Sequence, residues 1–165
     1  MQCLILSDSH SHGENIGKAL RKCPDAEVVF YLGDGISALD GYIERYRDKA
    51  WFFVLGNCDR PECINGSFVK KVDTITLCKR KIVLTHGDLY GAKYGVGGLI
   101  SLAKESGADI VLFGHTHKRL EYYDSQHGIW LFNPGALENS WDTGASFGLL
   151  TLNEKGDALF SHGSL

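Results

Sequence analysis

Five times in this chain an apolar run of strand length meets a glycine or small residue and is followed at once by a side chain that can donate to a metal. The sharpest case is Ile110-Val111-Leu112-Phe113-Gly114-His115-Thr116-His117. A continuous apolar run suits a strand buried on both faces. Two imidazoles one residue apart on the turn after it can reach the same space beyond the strand's carboxyl end. A lone His-x-His pair is a weak signal. The same grammar recurs at Ser7-Asp8-Ser9-His10, Gly33-Asp34, Gly56-Asn57-Cys58-Asp59 and Thr85-His86-Gly87. The recurrence restricts the chain to folds that bring several strand ends to one rim.

Local patterning supplies such a fold. Residues 2–7 read as a buried strand. Ile16, Ala19 and Leu20 give residues 14–22 a helical face, with Pro24 just beyond its end. A second strand spans 27–32, a helix runs from Ser37 or Ala38 to Arg47 with Leu39, Tyr42, Ile43 and Tyr46 on one face, and a third strand spans 51–55. Strand, helix, strand, helix, strand implies right-handed crossovers and a parallel sheet, at whose carboxyl edge ligands collect. The middle of the chain changes character. Residues 67–77 and 81–84 suit antiparallel pairing, a glycine-rich passage from Gly91 to Gly98 leads into a helix over 97–106, and Gly107 is its expected stop. After a strand over 109–113, segments 119–124, 128–132, 146–152 and 158–161 are expected to finish the chain as antiparallel strands.

At 165 residues the chain reads as one domain, residues 1–165, long enough for a substantial core. A net charge of −3 argues against a generic nucleic-acid or membrane binder. The basic run Lys79-Arg80-Lys81 lies between strand-like segments and reads as a hairpin turn. Five cysteines, an odd number with no Cys-x-x-Cys pair, indicate neither a disulfide framework nor a structural zinc site. With no leader pattern before residue 2 and no apolar run near the ~20 residues of a membrane span, a cytoplasmic setting is expected. The sequence leaves a homo-oligomer open.

In order, the strand-end residues are Asp8, His10, Asp34, Asn57, His86, His115 and His117. Two carboxylates, an amide and four imidazoles suit manganese, iron, nickel, cobalt or zinc rather than copper(I) or an iron–sulfur cluster. The set is too large for one tetrahedral ion and about right for two divalent ions sharing a carboxylate. Two such ions outweigh the two carboxylates, so the loaded site attracts an anion. Phosphate esters bind in this way between ions ~3.5–4 Å apart, where a held hydroxide is the expected nucleophile.

Together these motifs resemble the calcineurin-like metallophosphoesterase superfamily, and the short length and Asn-Cys-Asp variant are similar to its small YfcE-type phosphodiesterases. The resemblance covers roughly residues 2–140. It implies a four-layer α/β/β/α sandwich of two mixed sheets and two divalent ions, manganese foremost. Asp8, His10 and His117 would hold the first ion, Asn57, His86 and His115 the second, with Asp34 as the bridge. Many members carry histidine after the Asn, where it contacts phosphate and protonates the leaving oxygen. This chain has Cys58 there, so Asn57, Cys58 and Asp59 are the candidate catalytic residues, and activated or diester substrates are expected over alkyl monoesters.

Other residues take blander readings. His12 is expected beside the site or facing solvent, His127 and His162 outside it, Asp88 as a carboxylate orienting an imidazole, and Asn133-Pro134-Gly135-Ala136 as a turn shaping the pocket. The competing function is an interaction scaffold on the same fold, like the retromer subunit. A nuclease would need capping segments and a basic surface, and a purple acid phosphatase a tyrosine near Asp34.

Overall fold

The computed structural model describes the chain apart from residues 62, 65–66 and 140–143, and omits the side chains of Cys63 and Ser67. Strands β1 (Gln2–Leu6), β2 (Val28–Tyr31) and β3 (Ala50–Phe53) run parallel, joined through helices α1 (Glu14–Lys22) and α2 (Asp40–Arg45). After a short pair, β4 (Cys63–Ile64) and β5 (Ser67–Phe68), come the antiparallel β6 (Val72–Leu77) and β7 (Arg80–Thr85), then α3 (Gly97–Ser106) and β8 (Ile110–Leu112). Strands β9 (Arg119–Asp124), β10 (Ile129–Pro134), β11 (Ser146–Leu152) and β12 (Ala158–Ser164) follow.

Two five-stranded mixed sheets result, in the orders β12-β11-β1-β2-β3 and β6-β7-β8-β10-β9. Their inner faces meet through Cys3, Ile5, Phe30, Ile82, Leu112 and Phe132. The outer face of the first sheet, with Leu4, Leu6, Val29 and Tyr31, packs on α1 residues Ile16, Ala19 and Leu20. The outer face of the second, with Val83, Val111 and Leu131, packs on Leu99, Leu102 and Ala103 of α3. This is the four-layer α/β/β/α sandwich. It explains why β1, β2, β7 and β8 are apolar without alternation: successive side chains point to opposite faces, and both faces are dry. Each fully buried aliphatic side chain contributes about 1.5–3 kcal/mol.

Four features add to the sequence reading or depart from it. The second helix is split into a 3-10 turn over Ile36–Ala38 and a short α2, because Gly35 at φ 121° starts a tight turn where a longer helix would have begun. Residues 67–77 form two strands in different sheets. The last four strands are divided, β9 and β10 joining β8 while β11 and β12 extend the first sheet beside β1. Finally, β10 lies parallel to β8 on one side and antiparallel to β9 on the other. Among the described residues no helix is long and apolar enough to cross a membrane.

Candidate metal centre

The loops after β1, β2 and β3 in one sheet and after β7 and β8 in the other open on the same edge of the sandwich. Two glycines of the sequence pattern are required by how closely these loops pass. A Cβ at Gly56 would overlap the Asp34 backbone and carboxylate, and one at Gly114 would overlap Ser7 Oγ. Backbone bonds lock the loops together: Asp8 N–H to the Gly33 carbonyl and His10 N–H to the Asp34 carbonyl, both 3.0 Å, and Gly114 N–H to the His86 carbonyl, 3.0 Å. Five candidate donors hold left-handed backbone, with φ 54° at Asp8, 42° at His10, 58° at Asp34, 68° at His115 and 57° at His117. For L-residues that conformation costs about 1–2 kcal/mol each, and such strain gathers at functional sites.

The side chains converge. His117 Nε2 lies 3.2 Å from Asp8 Oδ1 and 3.4 Å from His10 Nε2. His86 Nε2 lies 3.3 Å from Asp34 Oδ2 and 3.2 Å from His115 Nδ1. Asp34 Oδ2 is also 3.9 Å from His10 Nε2, so it stands between the two histidine pairs. Donors bonded at ~2.1 Å around one ion lie about 3.0–3.4 Å apart, so these spacings fit metal coordination. Asp8, His10 and His117 form one group able to hold an ion, Asp8, Asp34 and His86 a second, and His10, Asp34 and Cys58 a third. The firmest sign is Asp8 Oδ1, which is buried and has no hydrogen-bond partner among the described residues. An orphaned carboxylate oxygen ringed by imidazole nitrogens suits a cation.

Surrounding groups aim the donors. Asp8 Oδ2 accepts from Ser7 Oγ at 2.5 Å and His115 N–H at 3.1 Å, which turns Oδ1 inward. Asp34 Oδ1 accepts Cys58 N–H at 2.8 Å, which leaves Oδ2 for the site. His86, fully buried, donates Nδ1–H to the Leu32 carbonyl at 2.7 Å, so Nε2 carries the free lone pair. Asn133 Nδ2 donates to the Gly114 carbonyl at 2.7 Å and to Thr116 Oγ1 at 3.2 Å, stapling the His115–His117 turn.

Charge follows this geometry. Burial works against an ionised Asp34, but the bond and charge of His86 and the Cys58 amide outweigh it and hold the carboxyl well below the usual range. Burial likewise opposes charge on His86, and Asp34 and Asp8 overcome it, lifting the ring above its ordinary value. The Asp8 bond lifts His117 against its partial burial. Burial, with His86 and Lys93, lowers His115.

The remaining candidates divide. Asn57 and Cys58 are exposed on the loop after β3, and the Asn57 amide donates to Cys58 Sγ at 3.2 Å rather than to a member of the cluster. Desolvation and the Asp34 carboxylate push the Cys58 thiol up, so it keeps its proton in the metal-free site. Asp59 clamps two loops together. Its Oδ2 accepts Asp34 and Gly56 N–H, both 2.8 Å, and its Oδ1 accepts Gly35 N–H at 2.8 Å and Ile36 N–H at 3.1 Å. The expectation for Asp88 is corrected. Among the described residues no hydrogen bond joins it to a histidine, and the Leu32 carbonyl does that work for His86.

The His12 ring meets Ser11 Oγ, His127 pairs with Asp124, and His162 bonds the Asn133 carbonyl. Glu138 escaped the sequence reading. Its Oε1 lies 2.9 Å from His117 Nδ1 and 3.9 Å from His10 Nε2. Its position just past the Asn-Pro-Gly turn was the available clue.

Fold and site define a class: a two-sheet α/β sandwich with carboxylates and imidazoles arranged for metal at its joined strand ends. Residues 1–155 match the calcineurin-like phosphoesterase superfamily domain, and the chain belongs to that family. It is 34% identical over 137 residues to the probable metallophosphoesterase YsnB of Bacillus subtilis, spanning 83% of this chain and 75% of that protein. It is 26% identical over 149 residues to a phosphodiesterase of Methanocaldococcus jannaschii, spanning 82% and 83%. Among solved structures it resembles Vacuolar Protein Sorting 29 from Cryptosporidium parvum, with TM-score 0.74, 21% identity and coverage of 99% and 98%. It also resembles the Escherichia coli phosphoesterase YfcE, with TM-score 0.67, 21% identity and coverage of 92% and 88%. At these identities the structural likenesses speak to fold alone.

Proposed function

We propose that the chain is a binuclear metal-dependent phosphodiesterase. The observation that carries this is Asp34 Oδ2 standing between two histidine pairs, beside the unpaired, buried Asp8 Oδ1. Asp8, His10 and His117 would hold one divalent ion, and Asn57, His86 and His115 the other. When bound, the ions polarise phosphoryl oxygens and acidify a water that serves as nucleophile. Manganese is the first choice, with nickel, cobalt, iron or zinc as alternatives.

The preference for diesters has an electrostatic basis. Asp8, Asp34, Glu138 and the nucleophilic hydroxide set four negative charges against the four positive charges of two ions, so the loaded centre is close to neutral. A diester monoanion adds one negative charge to it, whereas a monoester, whose second pKa is ~6, adds close to two at neutral pH. Cys58, a thiol at the rim of the cluster, is placed to pass a proton to a departing oxygen, weakly compared with an imidazole.

The test is hydrolysis of bis-p-nitrophenyl phosphate and p-nitrophenyl phosphate by manganese-loaded protein, beside Asp34→Asn. The diester is expected to be favoured, and Asp34→Asn to lower its rate by roughly a thousandfold with the fold intact. A fully loaded protein inactive on every ester would move the reading to an interaction scaffold on the same fold.

A further inference from the structure

Beside the His115–His117 turn lies a groove of about 550 Å³, between the loop before α3 and the start of β9. Thr116, between the two histidines, forms its inner wall. Its floor is apolar, where Val96, Phe113 and Leu120 close the end of the core beneath α3. Its rim is cationic. Lys93 and Lys118 are exposed there, and Arg119 follows, its Nη2 held by Ser164 Oγ at 2.6 Å.

Three cations on one short groove stand out in a chain of net charge −3. The Lys and Arg ion pairs among the described residues are Arg47–Glu44, Lys49–Asp48 and Lys70–Asp73, so among these residues no carboxylate lies within ion-pair distance of Lys93, Lys118 or Arg119. Lys93 is near enough for its charge to act on both His115 and His117.

Resting on the phosphodiesterase reading, we propose that this groove seats the leaving arm of the substrate and selects an arm carrying a flat ring followed by a second phosphate, as in a short oligonucleotide with a terminal phosphate. The ring lies on the partly exposed Val96 and Leu120, with Phe113 buried beneath them, and the outer phosphate meets Lys93 and Lys118. Hydrolysis breaks the P–O bond to this arm. The water's oxygen joins phosphorus and its proton goes to the departing oxygen, so the arm leaves as a nucleoside monophosphate.

The test compares a 3′,5′-linked diadenosine monophosphate with the same compound bearing a 5′-terminal phosphate, on manganese-loaded protein. The wild type is expected to favour the phosphorylated form at least tenfold in kcat/KM. The double variant Lys93→Ala, Lys118→Ala should bring the ratio near one, and a general loss of activity cancels in that ratio. A wild type with no preference, or a variant that keeps it, overturns the proposal. Calorimetric titration of metal-free protein with AMP in EDTA gives a separate reading. Saturable binding that the double variant weakens about tenfold supports the groove, and absent or unaltered binding overturns it. If no ester is hydrolysed the phosphodiesterase reading falls by itself, and AMP binding still decides on the groove.

Discussion

His117 Nδ1 lies 2.9 Å from Glu138 Oε1, and that bond decides which nitrogen of His117 faces the site. With Nδ1–H given to Glu138, Nε2 presents its lone pair 3.2 Å from Asp8 Oδ1. The Glu138 backbone N–H also donates to the Asp8 carbonyl at 3.1 Å, so one residue braces two of the three donors proposed for the first ion. Removing such a partner commonly costs 10–100-fold in metal affinity. Glu138→Ala is expected to weaken manganese binding by about that factor, and Glu138→Gln by less, because the amide oxygen still accepts. Competition against a chelator measures both, and equal affinity in all three proteins would remove Glu138 from the site.

Asp59 joins two loops through four backbone amides. Bonds to a charged acceptor are worth about 1.5–3 kcal/mol each, and stranded donors add to the loss. Asp59→Ala should therefore lower the unfolding free energy by about 2–4 kcal/mol in urea denaturation. A stability within experimental error of wild type would show that the loops hold without it.

Metal loading should depend on pH. The raised pKa values of His86 and His117 stabilise the metal-free fold fully below their ordinary 6.5, and that contribution is lost as pH rises through the folded values. The ions must displace these protons, so affinity rises with pH. His115, lowered, is already free as a donor. Asp34 contributes above its ordinary 3.8, outside this window. The rise in Tm caused by manganese is expected to be larger at pH 8 than at pH 6. A shift independent of pH would mean that these imidazoles are not the ligands.

In the proposed reaction Cys58 is the residue expected to set the leaving-group preference. Cys58→His supplies an imidazole acid where the thiol stands, and is expected to raise turnover of alkyl esters by about a hundredfold relative to aryl esters. Cys58→Ser should change little. If both variants treat the two ester classes as wild type does, the proton comes from elsewhere.

Most donors were legible in the linear chain because each belongs to a local signal. An apolar run marks a buried strand, a glycine marks close passage of another loop, and the polar residue beyond it sits at the strand end. Asp34, His115 and His117 follow that rule after Gly33 and Gly114, and Asp8, His10 and His86 follow it with Ser7 or Thr85 in the glycine's place. What the sequence did not show depends on residues far apart in the chain. The Leu32 carbonyl aims His86 from 54 positions away, and Asp59 reaches back to Asp34, 25 positions earlier. A carbonyl carries no side-chain signature, and Asp59 looks the same as clamp or acid until its amide partners are in place. The division of the last strands between two sheets was equally hidden, since an alternating strand records that it has a buried face but not which sheet supplies the cover. Residue chemistry chose the donors, while packing decided their partners, the turning of each lone pair and the cationic groove beside them.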